Sequence, residues 1–277
     1  MPEPELVTGG LRFPEGSRWR EGRLYFSDMH TGQVLALNPE TTELEEIAKL
    51  DGQPSGLGWT PDGDLLVSSM LDNTVYRVGA DGSLTVWADV SDLTQWPTNE
   101  LCVTPDGHGY LGGFGYDFYN NAPAEPGPVL HIRPDGTAEP GAEGFTFPNG
   151  TVLLPGTRTL VVAETWGHCL TAFDLDDEGR MTNRREWAPL WADSTADGID
   201  VDADHGVWVS SILEHKFVRV VEGGEITHEV SVGDELAVDC AVGGPDGRTL
   251  FMSTSNSWQP AETTVREGKI YRMRIEG

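Results

Sequence analysis

The segment FPNGTVLLPGTRTLVVAET, residues 147–165, contains two short apolar runs separated by a Pro-Gly pair. Both runs are rich in Val, Leu and Thr, which are residue types that favour β-strands. Pro155 and Gly156 between them are typical of a tight turn. The segment therefore predicts two antiparallel strands joined by a turn.

Five other segments repeat this arrangement along the chain. They are WREGRLYFSD from Trp19, WTPDGDLLVSS from Trp59, VTPDGHGYLGG from Val103, VDADHGVWVSS from Val201 and GGPDGRTLFMST from Gly243. Successive segments are 40 to 50 residues apart, and one more strand-like run follows each of them. A repeat of this length with three or four strands is typical of β-propellers. We therefore expect an all-β fold with one six-bladed β-propeller domain over residues 1–277, closed by a strand near residues 5–10 beside the last blade.

The charge of the chain limits its partners. Its 18 Lys and Arg against 45 Asp and Glu give a formal net charge of −27, which would repel nucleic acid and anionic membranes. No apolar run approaches the roughly 18 residues of a membrane-spanning helix, and the first residues carry no signal-peptide pattern. We expect a cytoplasmic protein without a nucleic-acid or membrane partner, and the oligomeric state stays open. Cys102, Cys169 and Cys240 are expected to be free, buried thiols.

Each of the six turn segments has a reference residue, which is the first residue of the five segments above and Leu153 in the segment 147–165. A residue with a side-chain oxygen stands four positions before each reference residue. These residues are Glu15, Ser55, Asn99, Asn149, Asp197 and Asp239. Equivalent positions of propeller blades converge on the axis, so we expect a ring of side chains at one mouth of the channel. Carboxylates brought together there repel one another unless a cation lies between them, and oxygen donors suit Ca²⁺. Gly150 is expected to let the chain turn tightly beside Asn149. The alternative is a solvated polar channel in which Asn and Asp cap turns.

Two long loops are expected to open on the same face as the ring. They are residues 112–127 and residues 253–268. Their aromatic side chains, together with two other tryptophans, are candidates for the walls of a pocket above the ring: Phe114, Tyr116, Phe118, Tyr119, Trp258, Trp96 and Trp166. Simple packing is the alternative for each of them. The sequence has no G-x-S-x-G, H-E-x-x-H or C-x-x-C motif, so a serine hydrolase or a zinc peptidase has no support.

Five motifs in this order resemble the family of senescence marker protein (regucalcin), gluconolactonase and luciferin-regenerating enzyme. They are FPEGSRW from Phe13, PSGLGWTPDGDLLV from Pro54, FPNGTVLLPGTRTLVVAETW from Phe147, ADGIDVDADHGVWVS from Ala196 and CAVGGPDGRTLFM from Cys240. They cover nearly the whole chain. The resemblance implies a six-bladed propeller that carries a divalent cation.

The resemblance also implies roles for individual residues. Glu15, Asn149 and Asp197 match the ligands of a divalent cation, commonly Ca²⁺, with Mg²⁺, Mn²⁺ and Zn²⁺ as alternatives. Asn99 matches a position that faces the metal or the substrate, and Asp197 also matches the proposed general base. The residues expected to contact the substrate are Asn99, Glu100, Trp96, Phe114, Tyr116 and Trp166.

Two departures from the family pattern bear on the substrate. Relatives acting on sugar lactones carry Arg where this chain has Pro97, and many bacterial members carry Asp where it has Glu100. We therefore expect a metal-dependent lactonase whose small-molecule substrate is less polar than a sugar lactone. The alternatives are a hydrolase of other activated esters or phosphotriesters at the same site, and a non-catalytic calcium-binding propeller.

Overall fold

The computed structural model describes residues 3–276 as an all-β structure. Within this range, 24 strands form six four-stranded antiparallel sheets arranged as the blades of a propeller. The first strand, β1 (Glu5–Leu11), pairs with the last strand of the chain and forms the outer edge of blade 6. Helical structure in the described residues is confined to 3₁₀ turns of three residues each: Met29–Thr31, Phe118–Asn120, Ile212–Glu214 and Thr263–Val265. The predicted six-bladed propeller and its closure by the segment at residues 5–10 are confirmed.

The strands of blades 1 to 5 follow one another in chain order from the channel to the outer edge. Blade 1 contains β2 (Pro14–Arg20), β3 (Arg23–Asp28), β4 (Gln33–Leu37) and β5 (Leu44–Lys49). Blade 2 contains β6 (Pro54–Trp59), β7 (Leu65–Ser69), β8 (Thr74–Val78) and β9 (Leu84–Asp89). Blade 3 contains β10 (Thr98–Val103), β11 (Gly109–Gly113), β12 (Gly127–Ile132) and β13 (Ala138–Phe145). Blade 4 contains β14 (Pro148–Leu153), β15 (Thr159–Glu164), β16 (Cys169–Leu175) and β17 (Met181–Pro189).

Blades 5 and 6 complete the ring. Blade 5 contains β18 (Ala196–Val201), β19 (Val207–Ser211), β20 (Lys216–Val220) and β21 (Ile226–Ser231). Blade 6 contains β22 (Leu236–Gly243), β23 (Thr249–Ser255), β24 (Gly268–Arg274) and β1. The first strands of neighbouring blades contact one another all the way round, with β22 returning to β2. These six innermost strands therefore line the central channel.

The hairpin turns explain the regular punctuation of the sequence. In the turn after β6, the Gly63 amide donates to the Thr60 carbonyl at 2.9 Å, and Gly63 has a φ of 92°. Residues with a side chain rarely adopt this conformation, which is why glycine ends the Pro-Asp-Gly sequence here. The turn brings β7 back towards the mouth of the channel.

The hydrophobic core lies between the blades. Val161 and Leu170 of blade 4, for example, pack in one cluster with Ile199 and Val209 of blade 5. Because each blade buries apolar side chains on both faces, neither face is stable in water without a neighbour. The packing fixes the positions of the innermost strands, which carry the ring residues.

The structure also describes the state of the cysteines and the length of the helices. All three cysteines are free thiols, with Cys102 and Cys240 buried and Cys169 half-buried. Among the residues that the structure describes, no helix has the length and apolar character needed to cross a membrane.

Candidate functional site

The six ring residues lie near the start of the innermost strand of each blade. In every blade the pairing register with the second strand shifts at or beside this position, as between Pro148 and Thr151 in β14. Such a bulge increases the local twist and changes the direction of a side chain. The bulges therefore accompany the positions at which the six blades present oxygen-bearing side chains near the axis.

Gly150 has a different role from the tight turn that its sequence suggests. It lies inside β14, and its φ is not in the left-handed region. A Cβ atom at this position would lie 2.5 Å from the Ile199 backbone nitrogen and 2.7 Å from the Asp197 carbonyl oxygen. Gly150 therefore lets β14 and β18 approach closely, which brings Asn149 within hydrogen-bonding distance of Asp197.

Four of the six ring residues form the polar floor of one cavity. Glu15, Asn99, Asn149 and Asp197 all line a cavity of about 270 Å³. The other two ring residues, Ser55 and Asp239, are buried outside its lining. The structure thus brings together the four residues that sequence reasoning assigned to a metal ion.

The walls of the cavity are mainly apolar. Phe114, Phe118 and Tyr119 come from one of the two long loops and Trp258 from the other, while Trp166 comes from the loop after β15. The rings of Phe114 and Phe147 stack with their centroids 4.5 Å apart. No Lys or Arg within residues 3–276 is part of the lining.

Sequence reasoning missed several wall residues, although the repeat contains a signal for them. Four missed lining residues directly follow the second strand of their blades, as the expected wall residue Phe114 also does: Met29, Met70, Thr165 and Ile212. Two more stand two positions before a ring residue, namely Phe13 and Phe147. Because the repeat places both positions at the mouth of the channel, aligning the blades at these positions would have identified them.

Three of the residues expected to contact the substrate lie outside the cavity lining. Glu100 is buried in the channel, where its Oε2 accepts a hydrogen bond from Arg18 Nη2 at 3.0 Å. Tyr116 is buried behind the wall, in contact with the rings of Phe118 and Phe147. Trp96 is half-buried in the loop before β10. Successive residues of a strand point in different directions, which separates Glu100 from Asn99; Asn99, Phe114 and Trp166 do line the cavity.

The floor concentrates negative charge away from water. Burial, and secondly the charge of Glu100, raise the pKa of Glu15 well above its usual value. Burial, and secondly the charge of Asp239, raise the pKa of Asp197 in the same direction. Carboxylates in this arrangement are stable as anions only when a cation compensates them.

The donor set fits a hard divalent cation. Glu15 Oε1 is buried and has no hydrogen-bond partner among the described residues. Asn149 Nδ2 donates to Asp197 Oδ1 and to Thr165 Oγ1, which leaves the side-chain oxygen of Asn149, Oδ1, available to a cation. Residues 3–276 hold no group of three or more His, Cys, Asp or Glu arranged for a metal. The candidate set is instead two carboxylates with two carboxamides, all of them oxygen donors of the kind that Ca²⁺ accepts.

Comparison with curated proteins finds relatives that are named lactonases. The chain is 24% identical over 185 residues to "Lactonase drp35" of Staphylococcus aureus strain MRSA252, a match covering 64% of this chain and 56% of that protein. It is also 24% identical over 253 residues to "6-deoxy-6-sulfogluconolactonase" of Pseudomonas putida, covering 88% of this chain and 82% of that protein. The chain thus spans little more than half of the staphylococcal relative.

Solved structures share the fold. A luciferin-regenerating enzyme matches with a TM-score of 0.85 and 17% identity, covering 100% of this chain and 96% of that one. A calcium-binding protein, regucalcin, from Agrobacterium tumefaciens strain C58 matches with a TM-score of 0.83 and 20% identity, covering 99% and 94%. A gluconolactonase from Xanthomonas campestris matches with a TM-score of 0.76 and 20% identity, covering 100% and 96%.

The family model "SMP-30/Gluconolactonase/LRE-like region" matches residues 13–256. This range includes all six ring residues and most of the cavity walls. It confirms the resemblance carried by the five sequence motifs. The chain therefore belongs to the SMP-30/gluconolactonase/LRE-like family.

Proposed function

We propose that this protein is a calcium-dependent lactonase whose substrate is less polar than a sugar lactone. The observation that carries the proposal is a single cavity with four oxygen donors on its floor and mainly apolar walls. The names of the two curated relatives support the reaction class, and the calcium-binding regucalcin supports the choice of ion.

Glu15, Asn99, Asn149 and Asp197 would hold the ion at the floor of the cavity. When bound, a divalent cation supplies Lewis-acid chemistry, because it polarises the lactone carbonyl and stabilises negative charge on its oxygen. The unpaired Glu15 Oε1 and the free carbonyl of Asn149 support this assignment.

Asp197 is the candidate for proton transfer. Its Oδ1 accepts the hydrogen bond from Asn149, which orients the carboxylate and leaves Oδ2 outside that bond. Asp197 Oδ2 would accept a proton from a reacting water as its oxygen attacks the lactone carbonyl carbon. Asp197 would return the proton to the ring oxygen as the acyl–oxygen bond breaks, so that the product is the open hydroxy acid.

The walls favour an apolar acyl portion. A substrate hydroxyl left without a partner in a closed pocket costs roughly 1 to 3 kcal/mol. Pro97 offers no side-chain donor, and the lining contains neither Arg nor Lys among the described residues. The aromatic walls would instead gain about 25 cal/mol per Å² of apolar substrate surface that they bury. The cavity volume of about 270 Å³ suits a small lactone ring with a short substituent.

A substrate panel tests this proposal. Calcium-loaded protein and its Asp197→Asn variant would be assayed with alkyl and aromatic lactones, gluconolactone, aryl esters and phosphotriesters. We expect the highest kcat/KM for an apolar lactone and loss of that activity in the variant. Preference for a phosphotriester would contradict the reaction class, and calcium binding without turnover of any compound would indicate a binding protein.

A further inference from the structure

A second group of carboxylates lies in the channel outside the cavity lining. Glu100 forms an ion pair with the guanidinium of Arg18 at 3.0 Å, and the charges of Asp239 and Asp200 act on the same guanidinium without a salt bridge to it among the described residues. Arg18 and Asp200 also line the opposite end of the channel, away from the substrate cavity. Five carboxylates therefore share one narrow passage when Glu15 and Asp197 are included.

Arg18 is held firmly among them. Its Nη2 donates to Glu100 Oε2 and to the Leu101 carbonyl, both at 3.0 Å, and its Nη1 donates to the Ser17 carbonyl at 2.8 Å. The side chain of Glu100 is only 3% exposed and that of Arg18 is 18% exposed. An ion pair this deep is weakly screened, so removing one partner leaves an uncompensated buried charge.

The positive charge of Arg18 acts on Asp239 and Asp200, but the described part of the cavity lining offers no such charge to Glu15 and Asp197. Burial raises the pKa of Asp239 to about 7 and also raises the pKa of Asp200, and the positive charge of Arg18 opposes both shifts. Glu15 and Asp197 have no such partner in the cavity, because the described lining includes no basic residue. The negative charge at the cavity floor is thus the part that the protein does not neutralise itself.

We infer that Arg18 is a built-in counter-ion that neutralises Glu100, so that the channel accepts one divalent cation, at Glu15 and Asp197. Arg18 is a positioning residue: it acts through Glu100, which it holds away from the cavity. The inference rests on the metal site proposed above. It assigns opposite effects to the two partners of one ion pair, since removing Arg18 adds net negative charge beside the site and neutralising Glu100 removes it.

Calcium titration calorimetry and melting of the calcium-free protein test this inference. Ca²⁺ would be added to wild type, Arg18→Met, Glu100→Gln and the double variant at mildly alkaline pH. We expect Glu100→Gln to bind Ca²⁺ about tenfold more weakly and Arg18→Met to bind it about tenfold more tightly or with a second equivalent. The double variant should bind like wild type.

Melting provides the second readout. Arg18→Met should lower the melting temperature of the calcium-free protein. Added Ca²⁺ should raise the melting temperature of this variant by more than it raises that of wild type. In the double variant, the Glu100→Gln change should reverse the loss of melting temperature. If Arg18→Met folds only with Ca²⁺, that result supports the inference, and the double variant must then fold without it. Arg20→Met is the matched control, because Arg20 lies on the same strand but contacts the exposed Glu21 at 3.6 Å and the Trp59 ring instead of a carboxylate in the channel.

Two outcomes overturn the inference in different ways. Equal Ca²⁺ affinity and equal stabilisation by Ca²⁺ in wild type and Arg18→Met would remove the role of Arg18 and leave the metal site standing. Absence of Ca²⁺ binding in wild type would remove the proposed metal site together with this inference.

Discussion

At the scale of single residues, Asn149 combines two tasks in one carboxamide. Its Nδ2 group donates to Asp197 and to Thr165, and its side-chain oxygen Oδ1 is the atom that we propose as a ligand of the ion. A carboxylate at the same position could not donate to Asp197. Under the proposed function, this division accounts for Asn149 at the start of a buried strand, and the close approach of β18 accounts for Gly150.

Replacement of Asn149 tests this assignment. Asn149→Ala removes one oxygen donor and the partner of Asp197, so Ca²⁺ affinity should fall by at least about tenfold, corresponding to 1.4 kcal/mol. Asn149→Asp keeps an oxygen there and should retain Ca²⁺ binding, although it should lose activity because Asp197 is no longer oriented by a donor. Titration calorimetry measures both affinities; equal binding by wild type and Asn149→Ala would exclude Asn149 as a ligand.

Pro97 is the residue on which the substrate assignment depends. Pro97 is outside the cavity lining, but its carbonyl accepts a hydrogen bond at 3.0 Å from the amide of Phe114, which is part of the lining. Pro97→Arg would therefore introduce a donor beside a wall that has neither Arg nor Lys among the described residues. Each newly paired hydroxyl would gain roughly 1 kcal/mol, so the ratio of kcat/KM for an apolar lactone over gluconolactone should fall about fivefold. An unchanged ratio in steady-state assays would show that position 97 does not set polarity.

At the scale of elements, blade 3 carries a histidine pair that links its strands. His131 in β12 makes hydrogen bonds on both sides of its ring: its Nε2 lies 2.8 Å from His108 Nδ1, and its Nδ1 donates to Glu139 Oε1 in β13 at 2.9 Å. Tyr110 of β11 stacks on the same ring with centroids 5.5 Å apart. The cluster joins three neighbouring strands on the side of the blade that faces blade 4, where Tyr110 donates to the Gly179 carbonyl at 2.6 Å.

This cluster predicts a loss of stability at acid pH. Burial lowers the pKa of His131 below its ordinary value of 6.5, with His108 and Arg133 acting in the same direction and Glu139 opposing them. Below pH 6.5 the unfolded chain therefore binds a proton that the folded chain does not, and stability falls as pH falls. Urea unfolding should show a smaller loss between neutral and acid pH for His131→Gln than for wild type. Equal losses would mean that His131 does not contribute.

The elements also show what the sequence could and could not predict. The hairpin repeat predicted the blades, and counting back from each turn predicted the ring, because both follow from local periodicity. The expected contacts of Glu100, Trp96 and Tyr116 with the cavity depended on the direction of side chains beside a bulge and within a long loop. Such directions are decided by packing between blades, for example by the half-buried Arg18 that holds Glu100, and not by local sequence.

At the scale of the whole molecule, the propeller fold brings carboxylates from different blades together in the central channel. The net charge of −27 is spread over 277 residues, yet the converging strands bring five carboxylates into one channel with one arginine. Stacking of the blades resists this repulsion, and a bound cation would relieve part of it. If the proposed site is occupied, we therefore expect the stability of the ring to depend on the bound ion.

Removal of the ion should destabilise the whole propeller. A ligand that binds only the folded state stabilises it by about 2.7 kcal/mol at a hundredfold excess over its Kd. Protein loaded with Ca²⁺ should therefore melt at a higher temperature than the same protein after chelation, as followed by calorimetry. Identical melting of loaded and chelated samples would contradict this dependence.

The most direct test of the central claim is the dependence of lactone hydrolysis on the ion. Hydrolysis of an apolar lactone would be measured for purified protein as prepared, after exhaustive chelation with metal content checked, and after Ca²⁺ is returned. The account predicts that activity above the spontaneous rate disappears on chelation and returns with about one equivalent of Ca²⁺. Full activity in protein verified to be free of metal would contradict it.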